Sequence, residues 1–225
     1  MNQPPSLIDL IHQAPANEFL PCTFQSPGFL LGKVDPRALE ILNREVNAIE
    51  QDFTQGLPWN HELAGQIKNE YFLKDSYQTL APYFIGIAHH YNRHFFGIEG
   101  KEEWELLDLW VNFQRKNEYN PPHNHRGMLS FTLWLRMPFD AEAEMEAVQS
   151  RKTTNACAAN FAFLYNQADG KIAMENIPVD RRFEGVICIF PAAIHHTVYP
   201  FTTSDEFRVS IAGNLGPKGR YDAIK

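Results

Sequence analysis

An α+β fold, with helices first and an all-β half after them, is predicted by three observations. Apolar residues recur at three- and four-residue spacing over 36–53 and again over about 79–97. From Leu106 onward the period drops to two, and short β-prone runs divided by turn signals continue to Asn214. A chain of 225 residues suits one domain. Residues 1–105 are read as an extended segment plus helices, 106–216 as the β core and 217–225 as a tail.

Pro4, Pro5, Pro15, Pro21 and Pro27 favour extended or turn structure over residues 1–34, which then wrap the domain surface. Asp35-Pro36 reads as a helix start, with Asp as cap and Pro at the first helical position. Leu39, Leu42, Val46, Ile49 and Phe53 give that helix one apolar side. A second helix is predicted from a Thr79 cap, with Leu80, Phe84, Ile87, Tyr91 and Phe95 facing inward and Pro82 in its first turn. His89, His90 and His94 lie on it without the glutamate of a zinc-protease motif, so they read as solvated surface histidines.

In the β half, Leu109, Val111 and Phe113 alternate with Trp110, Asn112 and Gln114, and Leu129, Phe131, Leu133 and Leu135 with Ser130, Thr132 and Trp134. Each of these strands therefore has one apolar and one mixed face. Further strands are predicted near 158–165, 185–190, 195–199 and 207–214, with Asp169-Gly170 as a turn. The acidic, then polar, stretch 140–156 reads as a short helix, a flap or an exposed connection.

A formal net charge of −7 argues against a broad nucleic-acid surface, which needs clustered Lys and Arg. Cys22, Cys157 and Cys188 lack paired spacing, so no disulfide framework or zinc knuckle is predicted. No stretch has the apolar length of a membrane span, and the first residues lack a secretory leader. The expectation is a cytoplasmic protein (host cytoplasm if phage-encoded) acting on a small-molecule or peptide substrate.

The chemistry concentrates in His123-Asn124-His125, in His195-His196, and in Arg208-Val209-Ser210. Residues two apart on a strand share a face, so His123 and His125 can converge on one metal ion. The apolar strand 185–190 delivers His195-His196, one of which can face the interior as a third ligand. Arg208, Ser210, Ala212 and Asn214 share a face of the last strand, where an arginine fork and a hydroxyl suit the distal carboxylate of a dicarboxylate. A salt bridge from Arg208 to Asp205 or Glu206 is the plainer alternative. Trp110, Asn112, Asn120, Asn124 and Trp134 are pocket or supporting candidates by face parity; each reads equally as structural, and Trp134 in particular more often as core filling.

Residues Glu118 to Ser130 and Phe190 to Asn214 resemble the 2-oxoglutarate/Fe(II) oxygenases found in bacteria and tailed phages, and the resemblance runs from about Trp110 to Leu215. It implies a double-stranded β-helix (jelly roll, cupin-like) with Fe(II) at its open end and 2-oxoglutarate as co-substrate. His196-Thr197-Val198-Tyr199-Pro200 resembles the segment around the family's distal iron ligand, which selects His196 over His195. His123 and His196 are then iron ligands, with Arg208 and Ser210 gripping 2-oxoglutarate. His125 stands where most of the superfamily has Asp or Glu; three neutral imidazoles leave the site at +2, which dianionic 2-oxoglutarate can neutralise. Glu118 is the nearest carboxylate, but extended chain carries it over ~15 Å from His123. The implied activity is hydroxylation of an unactivated C–H bond. Two other readings compete: a cupin-like metal enzyme that does not use 2-oxoglutarate, and a non-catalytic jelly-roll binding or structural protein of phage type.

Overall fold

The computed structural model describes residues 28–60, 65–98, 102–147, 157–167 and 169–221. Helix α1 spans Pro36–Gln51. Its start is the predicted one: the Asp35 carboxylate accepts from the Arg37 backbone N–H at 2.8 Å, and Pro36 needs no partner in the first turn. It ends two residues short of the predicted Phe53, because Asp52 leaves helical geometry and caps a 3-10 turn over Phe53–Gln55.

Helix α2 spans Lys74–Phe96, so it begins five residues before the predicted Thr79 cap. The cause is not local. Glu45, on α1, accepts from the backbone N–H groups of Asp75 at 3.0 Å and Ser76 at 2.7 Å, supplying the carboxylate cap that the segment itself lacks. Pro82 therefore lies in the helix interior, at the cost of one backbone bond. Gly97, at φ 63°, closes the helix with its N–H on the Arg93 carbonyl. His90 and His94 are exposed and His89 half-exposed, as the surface reading expects.

The strands are β1 Leu30–Lys33, β2 Leu57–Pro58, β3 Asn69–Phe72, β4 Trp104–Gln114, β5 Asn120–His123, β6 Leu129–Arg136, β7 Phe161–Asn166, β8 Ile172–Ile177, β9 Val186–Pro191, β10 His195–Val198 and β11 Arg208–Pro217. They form two antiparallel sheets that face each other in a double-stranded β-helix. The larger runs β1-β9-β6-β11-β4-β3-β2 and the smaller β5-β10-β7-β8. Residues before 106, predicted as extended chain and helices, also contribute β1, β2 and β3 to the two edges of the larger sheet.

The period-two alternation of β4, β6, β9 and β11 sorts their side chains into two cores. Leu109, Val111, Phe113, Phe131, Leu133 and Ile211 point outward and are covered by Leu42 and Val46 of α1 and Phe84 and Tyr91 of α2. Phe84 stacks on Phe131 with ring centroids 4.5 Å apart. On the opposite face Trp134, Cys188 and Phe190 meet Phe161 and Phe163 of the smaller sheet. The polar remainder of that inner face lines the candidate site.

The acidic stretch opens with helix α3, Ala141–Ala147. It is no loose connection at this end. Glu144 is fully buried and accepts four hydrogen bonds, from the N–H and hydroxyl groups of Thr202 and Thr203, at 2.5–3.0 Å. Residues 148–156 of the stretch, and Cys22, lie outside the described residues. Cys157 and Cys188 are free thiols. The Asp169-Gly170 turn joins β7 to β8, with Gly170 at φ 82°. No helix among the described residues is long and apolar enough to cross a membrane.

Candidate metal centre

Strands β5 and β10 pair antiparallel with His196 opposite His123. Cross-strand partners project to the same face, so their rings meet with centroids 4.4 Å apart. His125 joins them by a different route from the predicted one. β5 ends at His123, and His125 sits in the bend beyond it, held by its backbone N–H to the Ala192 carbonyl at 2.9 Å. Its ring lies 4.9 Å from His123 and 5.0 Å from His196. One nitrogen from each of the three falls within 4.8 Å of the other two.

The rings are also prepared for coordination. His123 Nδ1 contacts the Pro121 carbonyl at 2.7 Å and His196 Nδ1 the Ile194 carbonyl at 3.3 Å, so each Nδ1 carries the proton and each Nε2 keeps its lone pair. His196 stacks against Phe161 and is 4% exposed. Burial holds all three imidazoles below their usual range, His125 at about 3, with the neighbouring histidines adding to the effect. They are neutral near pH 7, which is the ligating form. His195 points the other way and is exposed. Three neutral borderline nitrogen donors suit Fe(II).

A pocket lies over these nitrogens, lined by Glu70, Trp110, Asn112, Gln114, Asn120, Phe161, Phe190 and Ser210 among others. Its floor follows one register row across three strands, Glu70 on β3, Asn112 on β4 and Ser210 on β11. Asn112 links the row: Oδ1 accepts from Trp110 Nε1 at 3.0 Å, while Nδ2 donates to Ser210 Oγ at 3.3 Å.

Arg208 lies on the same face in the next row, opposite Gln114. It is 2% exposed and makes no ion pair with Asp205, whose carboxylate goes to Lys116. One guanidinium nitrogen donates to the Ala159 carbonyl at 3.1 Å, and Ala159 adopts φ 60°, a left-handed conformation costly for alanine. Arg208 Nε has no partner among the described residues. Burial lowers the guanidinium pKa to about 9, and among the described residues no carboxylate pairs with it.

The remaining sequence candidates divide. Asn120 lines the pocket, with its Oδ1 unpartnered among the described residues. Asn124 is exposed and lies outside the pocket lining, because the chain bends away between His123 and His125. Trp134 fills the core between the sheets against Phe161 and Phe183, the plainer of its two readings. Asn214 is buried outside the lining, its backbone N–H on Asp108. Glu118 is taken up locally by the Arg115 N–H at 2.9 Å and does not join the histidines. Glu70 and Gln114 were not identified in the sequence; Glu70 sits on a four-residue strand with too little pattern to assign a face.

Fold and site together define a jelly-roll oxygenase architecture. Residues 108–214 match the family model described as "Putative 2OG-Fe(II) oxygenase". Fe(II) and 2-oxoglutarate are the metal and co-substrate of such oxygenases. Among solved structures, a prolyl-4-hydroxylase from Pseudomonas putida aligns over 86% of this chain and 95% of its own, with TM-score 0.53 and 12% identity. HygX from Streptomyces hygroscopicus, solved with nickel, 2-oxoglutarate and hygromycin B bound, aligns over 88% and 86%, with TM-score 0.54 and 10% identity. SnoN, a non-heme alpha-ketoglutarate-dependent epimerase from nogalamycin biosynthesis, aligns over 88% of each chain, with TM-score 0.51 and 12% identity. At these identities the likeness concerns the fold. No curated protein matches the chain.

Proposed function

We propose that His123, His125 and His196 hold Fe(II), that Arg208 and Ser210 receive the distal carboxylate of 2-oxoglutarate, and that the enzyme hydroxylates a C–H bond of a small-molecule or peptide substrate. Bound iron supplies oxygen activation, and the chain supplies orientation and a dry pocket. The observation that carries the reading is Arg208: a buried cation with no ion-pair partner among the described residues, on the inner face of the larger sheet, across from the smaller sheet whose β5 and β10 carry His123 and His196. A carboxylate arriving there accepts charge-assisted hydrogen bonds from Arg208 and one from the Ser210 hydroxyl. Asn112 fixes the direction of that hydroxyl. Trp110, Phe161 and Phe190 exclude water around the histidines.

Three imidazoles in place of two and a carboxylate leave the metal position one unit more positive than the usual triad. The dianionic co-substrate offsets that charge. Anaerobic titration of Fe(II)-loaded protein with 2-oxoglutarate, read by its metal-to-ligand charge-transfer absorbance, tests the reading, followed by succinate release on admitting air. Saturable absorbance and succinate are expected. Absence of both in metal-loaded wild type returns the cupin-like and structural alternatives.

A further inference from the structure

We propose that Glu70 is a specificity-determining residue that selects substrates carrying a cationic nitrogen, an ammonium or guanidinium group, placed beside the metal position. The assignment rests on the oxygenase reading of the pocket and names the substrate class of that same site.

Glu70 is 2% exposed and lines the pocket together with His123, His125 and His196. Asn60 Nδ2 donates to its Oε2 at 3.1 Å and sets its direction. Its Oε1 has no partner among the described residues. A buried carboxylate with one oxygen bound and the other bare is costly to keep unless something arrives to pair with it. The metal does not take that place, since Glu70 lies outside the group of mutually close ligand atoms.

The pocket wall makes a cation the fitting partner. Glu70 is the one carboxylate among the described lining residues, and no lysine or arginine lines the pocket beside it. Glu118 lies close enough to add negative potential at Glu70. Burial first, and Glu118 second, push the Glu70 carboxyl up to about 8, and the charge of an arriving cation opposes that shift. Asn112 and Ser210 continue the row from Glu70, and Arg208 follows in the next row just beyond the lining, so this inner face is acidic at one end and basic at the other. The co-substrate's carboxylate belongs at the Arg208 end and a substrate cation at the Glu70 end.

Matched probes test this: n-butylammonium and n-butylguanidinium against neutral n-pentanol. Each is titrated into the full-length protein by calorimetry, both metal-free and with Fe(II) and 2-oxoglutarate under anaerobic conditions. Wild type is expected to bind at least one cation tenfold or more tighter than the alcohol, with that preference lost in Glu70→Gln and kept in Glu118→Gln to within a few-fold. Equal affinity of cations and alcohol for wild type overturns the assignment, as does a cation preference that survives in Glu70→Gln. Folding of each variant is checked by the same charge-transfer absorbance. A normal absorbance with no cation preference defeats this inference alone, whereas a missing absorbance in wild type defeats the oxygenase reading and leaves the metal-free titration interpretable.

Discussion

Arg208→Met should stabilise the ligand-free protein while removing its response to 2-oxoglutarate. Burial lowers the guanidinium pKa from 12.5 to about 9, a difference of 3.5 pH units. At ~1.4 kcal/mol per unit that is a ceiling of about 5 kcal/mol stored against the folded state. Methionine relieves it but gives up the hydrogen bond to Ala159 at 3.1 Å and the guanidinium lying 6.0 Å from the Phe139 ring centre. A net gain of about 1–3 kcal/mol near pH 7 remains. With 2-oxoglutarate present the order reverses, because the variant leaves a buried carboxylate unpaired and loses about 2–5 kcal/mol of binding, roughly thirty-fold to several thousand-fold in affinity. Urea unfolding of both proteins with and without Ni(II) and 2-oxoglutarate measures both quantities. If Arg208→Met is less stable than wild type without ligand, or is stabilised by 2-oxoglutarate as much as wild type, the account of Arg208 is wrong.

Four further expectations concern other parts of the molecule. His125→Asp lowers the charge of the ligand set by one unit and should keep or raise Fe(II) affinity measured by competition with a chelator; complete loss of metal binding would mean that the geometry demands a third imidazole. The Glu70 carboxyl is raised from 4.5 to about 8 in the folded protein, so its contribution is full below pH 4.5 and lost as pH rises through 8. Glu70→Gln should therefore be more stable than wild type at pH 8 by about 2–4 kcal/mol and converge with it near pH 4.5, read from chemical denaturation across that range. Glu144→Ala removes four buried hydrogen bonds and should cost about 2–4 kcal/mol in the same assay, with faster proteolysis at the Thr202-Thr203 turn. Gly213→Ala places a methyl 2.7 Å from both the Asp108 carbonyl and the Phe131 ring, and should lower stability by about 2–4 kcal/mol through forced separation of β4 and β11.

The β half was legible because its long strands carry one apolar face each: β4, β6 and β11 run eight residues or more, enough for the alternation to be unambiguous. Strands β1, β2 and β3 have four, two and four residues, and the larger sheet rather than their own pattern makes them strands. The start of α2 was hidden for a related reason, since its cap, Glu45, is on another helix and no local motif announces it. Arg208 and Ser210 could be placed by two-residue periodicity, and His123 and His196 by the resemblance of their segments to the oxygenase family. His125 could not, because it reaches the cluster from a bend, and its convergence with His123 owes nothing to a shared strand. Glu70 was invisible because its significance comes from what surrounds it: an unpartnered oxygen, a pocket and an asparagine ten residues away.

The pairing of His123 with His196 has a dynamic consequence. β5 is the edge of the smaller sheet, and its ladder to β10 consists of the His196–His123 and Val198–Asn120 pairs with an irregularity between them, supplemented by the Thr197 hydroxyl donating to the Asn120 carbonyl at 2.8 Å. So short a ladder opens more readily than the rest of the sheet, and when it opens the imidazoles separate. A metal ion held by both strands, as proposed above, would act as a rivet at that weak seam, because it would bind the closed arrangement and not the open one. Amide hydrogen exchange in β5 and β10 should then be fast in the metal-free protein and slow sharply on loading, while β4 and β11 exchange slowly throughout. Under the proposed ligand set the same opening would part the two strands that hold the ion, which makes the seam the place where iron capture and release would couple to the fold.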